Sequence, residues 1–271
     1  MPIHRTAIVH EKADISETAD IGPYAIIDEH VSIGKNVKVK AHAYICKYTE
    51  IGDDTEVHVG AVLGNIPQDI AFKEKETYLK IGKRNVIREY VTVHRGTKEG
   101  TSTLIGDDNF LMAASHVGHN CRIGNKVIIA NGALLAGYVD VDDFVFISGN
   151  VVVHQYCRIG RIAIIGGFSG VNKDVPPYMS VRGPSVVWSI NLVGLRRAGF
   201  SRQVINEIKK AYGLIYLSGA NTEQAIAKIS ELNPGAEVDH LIEFIRKSKR
   251  GICKYRFGEG DSDYFSEKKR R

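Results

Sequence analysis

From Ile3 to Leu63 every sixth residue is Ile, Leu or Val, and the same phase resumes at Ile81, Ile87 and Val93 and again from Ile105 to Val171. These twenty-six aliphatic stops in one register match neither the three-and-four spacing of an amphipathic helix nor the alternation of a half-buried strand. The residue four places after each stop is nearly always small: Ala7, Ala13, Ala19 and Ala25 in the first run, Ser115, Cys121, Val127 and Ala133 in the last. A six-residue unit cannot bury its apolar face alone, so it is stable only when coils stack and share a continuous aliphatic column. The sequence predicts a parallel β-helix with three hexads per coil. Residues eighteen apart then lie over one another at the strand spacing of about 4.8 Å.

Composition narrows the class. A chain of 271 residues that is 44% hydrophobic is not disordered. It opens on the charged "MPIHRTAIVHEK", and no apolar run reaches membrane-spanning length, so a soluble cytoplasmic protein without a transmembrane segment is expected. Four cysteines without CxxC spacing suit a reducing compartment. Cys121 and Cys157 fall on small inward positions, where packing is the expected role.

The period changes near "DVPPYMSVRGPS", where prolines end the hexads. Residues 1–185 are expected to form the β-helix, interrupted by loops at 64–80 and 95–104, and residues 186–271 a basic helical domain. In that second segment, Ser201 reads as an N-cap, and Val204, Ile208, Ala211, Tyr212 and Ile215 form an apolar face that stops at Gly219. Two more helices are expected from Thr222 to about Leu232 and from about Ala236 to Lys249, followed by a charged tail, "GEGDSDYFSEKKRR". Residues 1–185 carry 20 Lys+Arg against 21 Asp+Glu, and residues 186–271 carry 16 against 10. The net charge of +5 therefore belongs to the second segment and points to an anionic partner there. No nucleic-acid motif accompanies it.

The repeat also fixes the direction of "ASHVGHNCRIGN". His119 is two places after the stop at Val117, an outward phase, and Gly137 and Gln155 follow at eighteen-residue steps in the same column. A histidine beside a glycine that a substrate can approach closely, with an amide over it, suits a base, an oxyanion donor and a substrate ligand. His116, His94 and His154 are also placed outward by the count.

The segments "IPQD", "NVIREYVTVHRGT", "SHVGHNC", "LLAG", "VVVHQYCRIG", "GGFSGVNKDVPPY" and "LRRAGFS" occur in an order and spacing that resembles the UDP-N-acetylglucosamine acyltransferases of lipid A synthesis. The resemblance implies a left-handed β-helix, a homotrimer with sites between subunits, an acyl carrier protein thioester as donor and a UDP-sugar as acceptor. It implies no cofactor and no metal. By the same resemblance His119 is the general base and Gly137 supplies the oxyanion N–H. Gln68, Asp69, His116, His154, Gln155, Asn191 and Arg197 are the expected substrate contacts, and Gly167 is expected to limit acyl-chain length.

The sequence departs from the family pattern in four places. Many relatives have an acidic residue where this chain has Asn120, which leaves a backbone carbonyl as the expected partner of the base. A histidine often found after "LAG" is Tyr138, eighteen residues above Asn120. Ala198 replaces a second arginine. The loop "VRGPSVV" has Ser185 where a histidine accompanies a 3-hydroxyl acceptor, which keeps an amide-forming transfer to the 3-amino sugar as the alternative. Rival hexapeptide functions are a metal-dependent carbonic anhydrase, an acetyl-CoA-dependent sugar acetyltransferase, the later N-acyltransferase of lipid A synthesis and a silent scaffold. The first is met by the lack of a third matching histidine, the third by hexads beginning at Ile3 and the fourth by the His119 column, while the acetyltransferase shares the scaffold and is told apart by turnover with acetyl-CoA but not with acyl carrier protein.

Overall fold

Each hexad lays down a short strand that ends on its aliphatic stop, as in Ile26–Ile27, His116–Val117 and Leu134–Leu135. The chain then turns through a residue three places after the stop that adopts the left-handed region, among them Asn36 at φ 55°, Asn120 at 59° and Tyr138 at 60°. Such a conformation costs a non-glycine residue about 1–2 kcal/mol. Stacking outweighs it, because every stop that enters the core adds about 1.5–3 kcal/mol of burial. The structure is a computed structural model in which residues 3–255 are described. The expected charged tail lies outside the described residues.

The strands stack into three parallel faces belonging to sheets of nine, eight and eleven strands among the described residues. Ile27, Ile45 and Leu63 lie in register on one face. The eighteen-residue spacing widens to thirty between Leu63 and Val93 and to twenty-four between Val93 and Val117, then returns at Leu135. Both interruptions leave from one corner, the one that follows the nine-stranded sheet, on successive coils. The stops from Ile21 to Ile165 are almost completely buried, and the small positions Ala25, Ala43, Ala61 and Ala133 pack between them. Cys121 and Cys157 are fully buried in this column, and all four cysteines are unpaired thiols.

The last coil closes with a hairpin. Met179–Arg182 pairs in parallel with the preceding coil and antiparallel with Val186–Ile190, so the expected border at 185/186 falls at the hairpin turn. Helices follow at α1 (Leu192–Arg197), α2 (Arg202–Tyr212), α3 (Thr222–Ser230) and α4 (Ala236–Arg246). Ser201 caps α2 by accepting from the Val204 N–H. The inner face of α2 differs from the expected one, since Ile205 is buried with Ile208 and Ala211 while Val204 is only half-buried. A π-helical stretch, Gly213–Leu217, continues the chain towards Gly219 at φ 74°. Its wider turn rotates the face, so Tyr216 is buried and Ile215 only half-buried. No helix among the described residues is long and apolar enough to cross a membrane.

Candidate active site

The corner that releases both loops also carries His119, one coil further on. Strand stacking sets Gly137 directly over it: a Cβ built on Gly137 would lie 2.4 Å from His119 Cε1 and 2.5 Å from Nε2. Only glycine leaves room for the imidazole to lie against the next coil. At the corner that follows the eight-stranded sheet, the equivalent N–H groups of Lys35, Lys83, Asp107 and Asn125 are each capped by an Asp or Asn side chain of the next coil, at 2.6–3.0 Å. At the His119 corner the residue over Gly137 is Gln155, and among the described residues no side chain caps the Gly137 N–H. That donor is left for something else.

The half-buried imidazole is held from behind. His119 Nδ1 lies 3.1 Å from Asn120 Oδ1, and that oxygen also accepts from the Thr97 N–H at 3.0 Å and the Thr97 hydroxyl at 2.9 Å. Tyr138 Oη lies 3.1 Å from Thr97 Oγ1, and its ring meets His119 edge to face at 5.3 Å. The expectation of a backbone carbonyl behind the base is therefore corrected: the partner is the Asn120 side chain. Asn120 is nearly buried, and its left-handed backbone turns the side chain back beneath the neighbouring histidine.

The two loops are pinned together by Arg95, which the sequence reading passed over. Its guanidinium is buried, with Nη2 2.6 Å from Glu74 Oε1, Nη1 3.0 Å from the Lys75 carbonyl, and the Tyr48 and Phe72 rings at 5.5 and 5.7 Å. Burial alone would raise the Glu74 carboxyl, but Arg95 and Lys47 together hold it below its ordinary range. Arg95 and Thr97 stand beyond the last stop of their coil, so the period assigns them no direction, although both fall in the segment "NVIREYVTVHRGT" that carries the resemblance.

His119, His116, Gly137, Gln155 and Gln68 line one cavity of about 330 Å³ together with Leu134 and Val152. His119, Gln68, Asp69 and Gln155 line a second, of about 620 Å³, under the first loop. Asp69 Oδ1 accepts from the Ala71 N–H at 2.9 Å, which shapes the loop tip. His94 stands outward as the count places it, lining the first cavity beside His116 and His119, yet it is only 4% exposed. Burial, then the neighbouring His116 and His119, pushes its pKa down to about 4. His116 is also lowered, by burial first, and its Nδ1 is 2.7 Å from Thr92 Oγ1.

The other expected contacts lie apart within one chain. His154 is exposed and its Nδ1 lies 3.1 Å from the Gln155 carbonyl. Asn191 caps α1 through Gly194 N–H and donates to the Ile162 carbonyl, so both ends of its amide are engaged. Arg197 is exposed at the end of α1, and Gly167 is exposed at another corner. None of these four lines either cavity.

Comparison with known proteins separates this scaffold from the many others built of hexads. The family model for UDP-N-acetylglucosamine O-acyltransferase, domain 2, matches residues 174–253, and that for the bacterial transferase hexapeptide matches residues 102–137. The acyl-[acyl-carrier-protein]–UDP-N-acetylglucosamine O-acyltransferase of Thermodesulfovibrio yellowstonii is 48% identical over 93% of this chain and 99% of its own. The chain belongs to the UDP-N-acetylglucosamine O-acyltransferase family. It is an acyltransferase. Solved family structures agree: the Francisella novicida enzyme superposes at a TM-score of 0.90 with 36% identity over 96% of both chains. The Bacteroides fragilis enzyme superposes at 0.88 with 41% identity over 92% of this chain and 99% of that one. The coil is thus a left-handed parallel β-helix of hexapeptide repeats.

Proposed function

We propose that this acyltransferase moves a 3-hydroxyacyl chain from acyl carrier protein to the 3-hydroxyl of UDP-N-acetylglucosamine, at the start of lipid A synthesis, as a cytoplasmic homotrimer. The observation that carries the reading is the imidazole of His119 packed on Gly137, beside an N–H that no side chain caps among the described residues. His119 Nε2 takes the proton of the sugar hydroxyl as its oxygen attacks the thioester carbonyl. The C–O bond forms, and the negative charge on the carbonyl oxygen meets the Gly137 N–H. The C–S bond then breaks, and the imidazolium returns the proton to the leaving thiolate.

Gln68, Asp69, His116 and Gln155 surround this point and are assigned to the sugar nucleotide. His154, Asn191, Arg197 and Gly167 do not line the cavities of their own chain. A homotrimer with sites between subunits would bring them in from a neighbour, against the exposed apolar Leu134 and Val152. Arg197 suits phosphate through its forked donors. The carrier protein is assigned to the basic helical segment, where Lys247, Lys249 and Arg250 line a groove of about 990 Å³ that also reaches Tyr138.

Turnover tests the reading. Purified protein given 3-hydroxyacyl carrier protein and UDP-N-acetylglucosamine should release free carrier thiol and an ester-linked sugar, and acetyl-CoA should not replace the donor. Equal or better turnover with acetyl-CoA would contradict it. The same assay with the 3-amino sugar decides whether Ser185, whose hydroxyl donates to Asn172 Oδ1 at 2.8 Å, marks an amide-forming site. Strong preference for the amino sugar would replace the ester reading with the alternative.

A further inference from the structure

The Asn120 carboxamide can present either an oxygen or an NH₂ to its neighbours, and its surroundings decide which. The Thr97 backbone N–H can only donate, so the atom 3.0 Å from it must be the carbonyl oxygen. The same oxygen lies 3.1 Å from His119 Nδ1, so that nitrogen must carry the hydrogen. The remaining nitrogen, Nε2, which lies nearest Gly137 apart from Cε1, is then left with its lone pair. The Thr97 hydroxyl spends its hydrogen on Asn120 Oδ1, so the Tyr138 hydroxyl donates to Thr97 Oγ1. The donors run in one direction, from Tyr138 through Thr97 to Asn120. His119 donates to the same oxygen from the other side.

We infer that Thr97, reaching back from the 95–104 loop, is a positioning residue that clamps the Asn120 carboxamide and so fixes His119 as its Nδ1–H tautomer without any acidic group. This rests on His119 being the base. Tyr138 completes the clamp, which couples two of the four positions at which the chain departs from its family pattern. The arrangement does the orienting work of a carboxylate while placing no charge behind the imidazolium that forms during transfer. The buried setting makes each of these hydrogen bonds count, because an unmet amide or hydroxyl there is costly.

The test reads the ring directly. In the full-length protein labelled with ¹⁵N-histidine, the His119 signal is assigned by its loss in His119→Ala, and its nitrogen shifts at high pH report the tautomer. Wild type should show Nδ1–H. Thr97→Val, which keeps the shape and loses the hydroxyl, should admit Nε2–H and lower kcat about tenfold with the sugar KM within twofold. Thr97→Ser should restore both. Asn120→Asp should keep the tautomer and move the acidic limb of the kcat profile to higher pH, since a carboxylate favours the imidazolium. An Nε2–H ring in wild type, or an unchanged kcat in Thr97→Val, would overturn the clamp. Because the tautomer is measured without turnover, a failed base assignment would show separately, as activity in His119→Ala.

Discussion

Two corners of one β-helix share a backbone and differ in what closes them. At the corner after the eight-stranded sheet, Asp53, Asp107, Asn125 and Asp143 each cap an N–H of the coil below. At the corner after the nine-stranded sheet the same positions hold His119, Gly137 and Gln155, and among the described residues no side chain caps the Gly137 N–H. The left-handed residues are alike, Lys126 at φ 55° and Phe144 at 60° on one corner, Asn120 at 59° and Tyr138 at 60° on the other. Among the described residues, the scaffold opens this corner by leaving the Gly137 N–H uncapped and by releasing two loops over it, with no change of fold.

The sharpest way to break this comparison is to fill the open corner. Gly137→Ala keeps the backbone N–H but places a methyl where the His119 ring lies, so transfer should fall by about 10²-fold or more, the scale of displacing a positioned base, while the coils still stack. Activity within threefold of wild type would show that the ring and glycine need not touch. Next in size is acid sensitivity. The folded pKa of His94, about 4, lies below the roughly 6.5 of an unfolded histidine. The unfolded chain therefore binds the proton first, and stability is intact above pH 6.5 and lost as pH falls towards 4. His94 should account for about 3 kcal/mol of the loss, so His94→Gln should lose less by about that amount and keep the part due to His116, measured by denaturant unfolding at pH 7 and pH 4.5.

Gln155→Asn brings to the open corner the amide that caps Asp107 at the closed one. It should lower kcat/KM roughly tenfold and raise the melting temperature slightly, since a capping bond is worth about 1 kcal/mol. The converse, Asp143→Ala, is the smallest effect: about 1 kcal/mol of stability lost at the closed corner, with turnover unchanged. A drop in turnover there would mean that the two corners are coupled.

The period-six count made the β-helix legible, and the eighteen-residue step placed His119, Gly137 and Gln155 in one column because nothing interrupts the chain between them. It could not reach Thr97, Arg95 or the burial of His94. Those depend on loops that widen the spacing to thirty and twenty-four residues and fold by individual contacts, such as Arg95 with Glu74. In the helical segment the three-and-four spacing marked α2, α3 and α4 but not the six-residue α1, and the π turn at Gly213–Leu217 shifted which residues face inward. Asn120 is visible in the sequence as a departure, but its side chain as the partner of His119 is not, because its direction depends on the left-handed turn at the corner.

The central claim is that the open corner is the reacting point, with His119 as its base. The most direct test is transfer by His119→Ala alongside its thermal unfolding. Turnover should fall below about one per cent of wild type, within the 10²–10⁴ that a positioned base contributes, with unfolding nearly unchanged because the half-buried ring lies outside the aliphatic column. More than a few per cent of wild-type turnover in a stably folded variant would contradict the account.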